Sequence, residues 1–93
     1  MEIKLTDRSG CTTGYVEDNG RITDRKGNTI GYIESNGRIT DRSGHTTGYL
    51  EKYDKYGCKY RQTDTKGRSV AYFEESGRIT DASDKTIGYA EDY

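Results

Sequence analysis

The chain has 93 residues, 29% of them hydrophobic and 33% charged, which suits one domain with a modest core. Fifteen Lys and Arg against sixteen Asp and Glu leave a net charge of −1, so no field gathers nucleic acid or an anionic membrane surface. The longest apolar run is only a few residues, far below the roughly twenty that a membrane-spanning helix needs. Such a composition borders on disorder, but a strict period and nine tyrosines argue for a folded chain. With so small a core, stability calls for ring closure or self-association.

The period begins at 5–17, LTDRSGCTTGYVE. It returns as ITDRKGNTIGYIE at 22–34, ITDRSGHTTGYLE at 39–51, QTDTKGRSVAYFE at 62–74 and ITDASDKTIGYAE at 79–91. Aligned on Asp7, Asp24, Asp41, Asp64 and Asp81, the copies are spaced by 17, 17, 23 and 17 residues. The repeats run over about 1–19, 20–36, 37–52, 59–76 and 77–93, with an insert at 52–60. Each copy holds two short segments rich in Thr, Ile, Val and Tyr, the composition of strands. Asp-x-x-Gly between them fits a type I turn closed by a left-handed glycine. In the fifth copy Asp84 takes the glycine's place, a residue that tolerates that conformation at some cost.

Between copies, Asn19-Gly20, Asn36-Gly37 and Ser76-Gly77 suit a two-residue primed hairpin turn. Every connection is then a tight reversal, and the chain is an all-β antiparallel meander of about ten strands, its five hairpins closing about a pseudo-five-fold axis. The segment from Glu2 to Asp7 is expected to pair with Thr86 to Asp92, removing both edges. Pairing Asp24 with Asn28 would put Ile22 opposite Ile30, with Tyr32 and Glu34 on that face. Thr23, Thr29, Gly31 and Ile33 would fall on the other. Both faces are then partly apolar, as a closed ring or a stacked subunit requires.

Five-fold repetition turns single residues into rings. Tyr15, Tyr32, Tyr49, Tyr72 and Tyr89 could stack on a sugar or another planar ligand, or supply the bulk that a chain poor in hydrophobic residues needs. Lys4, Arg21, Arg38, Arg61 and Arg78 form a basic ring, and Glu17, Glu34, Glu51, Glu74 and Glu91 an acidic one. Solvated cross-strand pairing accounts for both. The five Asp residues read as turn caps rather than as a calcium site, because each loop supplies a single carboxylate where calcium needs several oxygens. No metal and no cofactor is expected. His45 is the lone histidine, at a position held elsewhere by Cys11, Asn28, Arg68 and Lys85, and nothing ties it to a nucleophile. The chain reads as non-enzymatic.

The insert, KYDKYGCKY, interleaves Lys with Tyr and breaks the repeat, as binding loops on rigid scaffolds do. Tyr53, Tyr56 and Tyr60 are therefore a second candidate ligand surface, with a protein or glycan partner preferred to nucleic acid. Cys11 and Cys58 are either two separate thiols or a single disulfide.

Five copies of (I/L)TDxxGxTxGYxE, with Gly-Arg between them, resemble the five-fold β-flower family of small bacterial proteins. The resemblance runs from Leu5 to Tyr93 and fails at Lys52 to Tyr60. It implies five hairpin petals about a pseudo-five-fold axis, and often export to the periplasm or beyond, although no signal peptide lies in this chain. No functional residues carry over with it. The expected role is a small scaffold or interaction module, acting by self-association or through a protein partner. The rival is a lectin-like or small-ligand module using the ring tyrosines or the insert.

Overall fold

The computed structural model describes residues 2–92. Ten strands follow one another in order: β1 (Ile3–Asp7), β2 (Thr12–Val16), β3 (Arg21–Asp24), β4 (Thr29–Ile33), β5 (Arg38–Asp41), β6 (Thr46–Lys52), β7 (Cys58–Thr63), β8 (Ser69–Glu74), β9 (Arg78–Asp81) and β10 (Thr86–Asp92). Each pairs antiparallel with its neighbours in sequence, and β1 closes on β10 from Ile3 opposite Asp92 to Asp7 opposite Gly88. The expected meander is a closed ten-stranded barrel, with no free edge to template aggregation. Among the described residues no helix is long and apolar enough to cross a membrane.

The Asp-x-x-Gly turns form as expected. In the second petal Gly27 N–H donates to the Asp24 carbonyl at 3.0 Å and Asp24 N–H to the Asn28 carbonyl at 2.9 Å. Gly27 takes φ +91°, and Asp84 takes φ 72° in the fifth petal. The loops between petals differ from expectation. Gly20 N–H donates to the Glu17 carbonyl and Glu17 N–H to the Arg21 carbonyl, both at 2.9 Å. This is again a three-residue loop with one left-handed glycine, Gly20 at φ +90°. A primed turn would make Asn19 left-handed as well. Instead Asn19 keeps an ordinary conformation and its Oδ1 accepts the Arg21 N–H at 3.0 Å. Among the described residues the primed geometry occurs only in the insert, where Tyr56 (φ 56°) and Gly57 (φ 76°) close a turn from the Lys55 carbonyl to Cys58 N–H.

The register also departs from the simple hairpin. Thr23 faces Thr29, yet Ile22 faces Gly31, so Ile30 is an extra residue. The same slip recurs beside Thr6, Thr40, Thr63 and Thr80. A bulge of this kind bends and twists its strand, which five short hairpins need in order to close a ring. It also exchanges the faces. Ile22 shares the inner face with Gly31 and Ile33, while Tyr32 stands outside beside Arg21 and Thr40.

Glycine stands one step before four of the five outer tyrosines, and at those four seams there is no room for a side chain. A Cβ on Gly31 would lie 2.3 Å from the Thr40 carbonyl oxygen of the next petal, and Gly14, Gly48 and Gly88 meet Thr23, Thr63 and Thr6 at 2.1–2.3 Å. Across the same seams the register sets Tyr15 against Thr23, Tyr32 against Thr40, Tyr49 against Thr63, Tyr72 against Thr80 and Tyr89 against Thr6. All five threonines are buried, Thr80 to 1% exposure. Gly31→Ala is expected to lower unfolding stability by about 2 kcal/mol, in the range of core overpacking. Asp84→Gly should raise it by about 1 kcal/mol by relieving a left-handed non-glycine residue. Urea unfolding of both variants checks the pair.

Candidate functional site

Inside the barrel each strand presents one residue at the same level: Leu5, Val16, Ile22, Ile33, Ile39, Leu50, Gln62, Phe73, Ile79 and Ala90. In a filled core these would be fully buried. Here the buried hydrophobic residues are Ala71 and Ile79, and the rest of the ring is only partly covered. A ten-stranded barrel is wider than the eight-stranded kind whose interior side chains just fill it. The consequence is a cup of about 1120 Å³ opening at the end that carries the inter-petal loops, the insert and the β1–β10 seam. The Asp-turn end contributes nothing to its lining.

The tyrosines that sequence reasoning singled out do not line this cup together. Tyr15, Tyr32, Tyr49, Tyr72 and Tyr89 alternate with its lining residues and lie on the outer wall, each beside a buried threonine. Of the five only Tyr49 also borders the cup. The insert is not a separate loop. It extends β6 and β7, with Lys52 opposite Tyr60 and Tyr53 N–H bonded to the Lys59 carbonyl at 3.0 Å. Its three tyrosines diverge. Tyr53 lies outside, its ring 5.4 Å from that of Tyr72, with the Arg61 guanidinium 5.5 Å above it. Tyr56 is at the tip, 89% exposed. Tyr60 lines the cup.

The charged rings pair as expected in four petals. Arg21, Arg38, Arg61 and Arg78 reach Glu17, Glu34, Glu51 and Glu74 at 2.6–2.8 Å, and Lys4 stands opposite Glu91 in the closing seam. Arg21, Arg38 and Arg78 also donate through Nε to Thr29, Thr46 and Thr86. In the insert petal that threonine is Ser69, whose Oγ instead accepts from the Tyr72 hydroxyl at 3.1 Å, and the buried Arg61 Nε has no partner among the described residues. The hydrogen bond to Glu51 raises the Arg61 pKa further. These are outer-wall contacts, each of small worth where solvated.

All five Asp residues cap their turns. Asp7 Oδ1 accepts from Ser9 and Cys11 N–H, Asp24 from Lys26 and Asn28, Asp41 from Ser43 and His45, Asp64 from Lys66 and Arg68, and Asp81 from Ser83 and Lys85. Among the described residues no group of three His, Cys, Asp or Glu side chains is placed to hold a metal ion. His45 is exposed, its Nδ1 3.4 Å from Asp41 Oδ2. No disulfide joins the two cysteines in this structure. Cys11 follows an Asp turn at the end of the barrel away from the cup, Cys58 lies in the insert, and both thiols are free. Burial, then the nearby Glu74, push the Cys58 thiol pKa up.

The cup itself was not legible as a site. Its lining is ordinary strand composition, and the bulge that turns Ile22 and Ile33 inward leaves no mark in the sequence. The model of the 5-fold beta-flower protein family matches residues 1–93, and the chain belongs to that family. No curated protein and no solved structure matches it.

The caps make a pH prediction. The N–H of Asn28 holds the Asp24 carboxyl below its ordinary 3.8, as the N–H groups of His45 and Arg68 hold Asp41 and Asp64. With native values depressed, the unfolded chain takes up protons first, so this stability is complete above about pH 5 and is lost as pH falls through 3.8 and below. Urea midpoints measured between pH 6 and pH 2.5 are expected to fall only in the acid part of that range. A midpoint level down to pH 2.5 would remove the caps from the account.

Proposed function

We propose that this five-fold beta-flower protein is a non-catalytic binding module that takes a small, apolar-bodied molecule into the open end of its barrel. One observation carries the reading: the aliphatic ring inside the barrel has no core to pack against. Leu5, Val16, Ile22, Ile33, Ile39, Leu50 and Phe73 line a recess of about 1120 Å³. The size and apolar lining are those of ligand pockets.

Self-association through this end is the second reading, and the rim weighs against it. Glu75, Glu91, Asp92, Lys52 and Lys59 surround the mouth. A second copy set mouth to mouth would desolvate these charges without filling the recess beneath them. A glycan on the ring tyrosines is supported less, because those rings are spaced round the outer wall and do not form one platform.

A ten-carbon chain buried in the cup gains about 0.8 kcal/mol per methylene, and association offsets several kcal/mol of that. Affinities in the micromolar range are expected. N-phenyl-1-naphthylamine, a neutral apolar fluorophore, should brighten on binding the folded protein and be displaced by decanol. Leu50→Trp, which fills the recess from one wall, should remove that signal while the near-ultraviolet circular dichroism stays native. Retained binding in a folded Leu50→Trp protein would place the probe elsewhere. No binding, with a mass in light scattering that rises with concentration, would favour the self-associating module.

A further inference from the structure

The inner wall is aliphatic or aromatic on nine strands and polar on one. Where the other petals carry Leu5, Ile22, Ile39 and Ile79, β7 carries Gln62. The insert then adds a rung above it. Alternation along β6 and β7 sets Leu50 opposite Gln62 and Lys52 opposite Tyr60, all four on the inner face and all lining the cup. An amide, a phenol and an ammonium thus climb one wall from the level of the aliphatic ring to the mouth. No side chain of the three makes a hydrogen bond or ion pair with any described residue, although each has donors to offer. None of the three is buried, so water serves these groups until the polar head of a guest displaces it.

Resting on the proposed reading of the cup, we infer that its guest is an amphipathic monocarboxylate: an unbranched or compact apolar body against the aliphatic arc, its carboxylate on Lys52 and Tyr60, with Gln62 donating below. The sign comes from the groups themselves, since an ammonium with two neutral donors favours an anionic head. The carboxylates that line the cup are Glu34, Glu51, Glu74, Glu75, Glu91 and Asp92, and Glu34 is neutralised by Arg38 at 2.7 Å. Glu51 and Glu74 are neutralised by Arg61 and Arg78 at 2.8 and 2.6 Å. Glu75 lies beyond β7 from Lys52, its N–H bonded to the Gly57 carbonyl. Glu91 and Asp92 belong to the closing seam across the mouth.

Isothermal titration of the full chain with decanoate, decanol and decyltrimethylammonium, each below its micelle concentration, tests this. Decanoate is expected to bind at least tenfold more tightly than decanol, and decyltrimethylammonium more weakly than either. Lys52→Met should erase the tenfold preference and leave decanol unchanged. Gln62→Leu, which gives β7 the residue type of the other petals and should fold at least as well, should weaken decanoate several-fold and strengthen decanol. Equal binding of decanoate and decanol, a preference for the cation, or a preference that survives Lys52→Met would overturn the carboxylate assignment while leaving the cup a binding site. Binding of none of the three would overturn the reading beneath it.

Discussion

Everything in this barrel depends on how closely one petal approaches the next. At four of the five seams a glycine backbone lies against the threonine carbonyl of the following petal, so near that a methyl group would sit 2.1–2.3 Å from the oxygen. That approach fixes which residue must precede the ring tyrosine and brings the tyrosine directly across from the buried threonine. The fourth petal shows what the constraint tolerates. Ala71 stands in the glycine position and is buried at 3%, so the β8–β9 seam accommodates a methyl that the other glycine seams would meet as a clash.

Tight seams on the outside imply an unfilled inside. The strands carry a bulge apiece per hairpin, and bulges supply the twist that closes ten short strands into a ring. The bulky residues are spent outside, as tyrosines beside threonines, and the inner ring is left with mid-sized aliphatic side chains that do not meet across the barrel. Stability then comes from what closure secures: paired edges, nine short reversals of which eight have a side chain capping a loop N–H, and arginines that bridge a loop to a threonine. A chain with 29% hydrophobic residues can fold this way only because it does not have to fill its own centre.

Much of this was readable beforehand, and the limits have physical causes. Five copies of one motif fix the number of hairpins, Asp-x-x-Gly fixes one turn, and the complementary ends fix the closure. The inter-petal loops mislead because Asn-Gly serves two turn types. Which one forms depends on whether Asn19 is left-handed, and its side chain settles that by capping Arg21 N–H. The faces mislead for a related reason. Ile30 in its bulge has the same composition as Ile30 in a regular ladder, so counting by twos from Asp24 puts the tyrosines on the wrong side of the wall. The glycine at 14, 31, 48 and 88 was the available signal. A residue with no side chain, in the middle of a strand and one step before a tyrosine, marks a close backbone approach and so a seam.

The departures from symmetry then acquire a direction. The insert lengthens β6 and β7 by a rung, and a rung has two faces. Outside, Tyr53 packs on Tyr72 beneath Arg61, which extends the aromatic cover of the ordinary petals. Inside, the added rung has its counterpart in the closing seam, where Ile3 stands opposite Asp92, but its chemistry differs: Lys52 and Tyr60 project above the level of the aliphatic ring, and Gln62 replaces the aliphatic residue below them. A neutral insertion would be expected to disturb both faces alike. Here the outer face is repaired with interactions of the kind the other petals use, and the inner face is made polar along one line, at the end of the barrel where the cup opens. The symmetry of the fold supplies an apolar recess with no preferred orientation for a guest, and the fourth petal supplies the orientation.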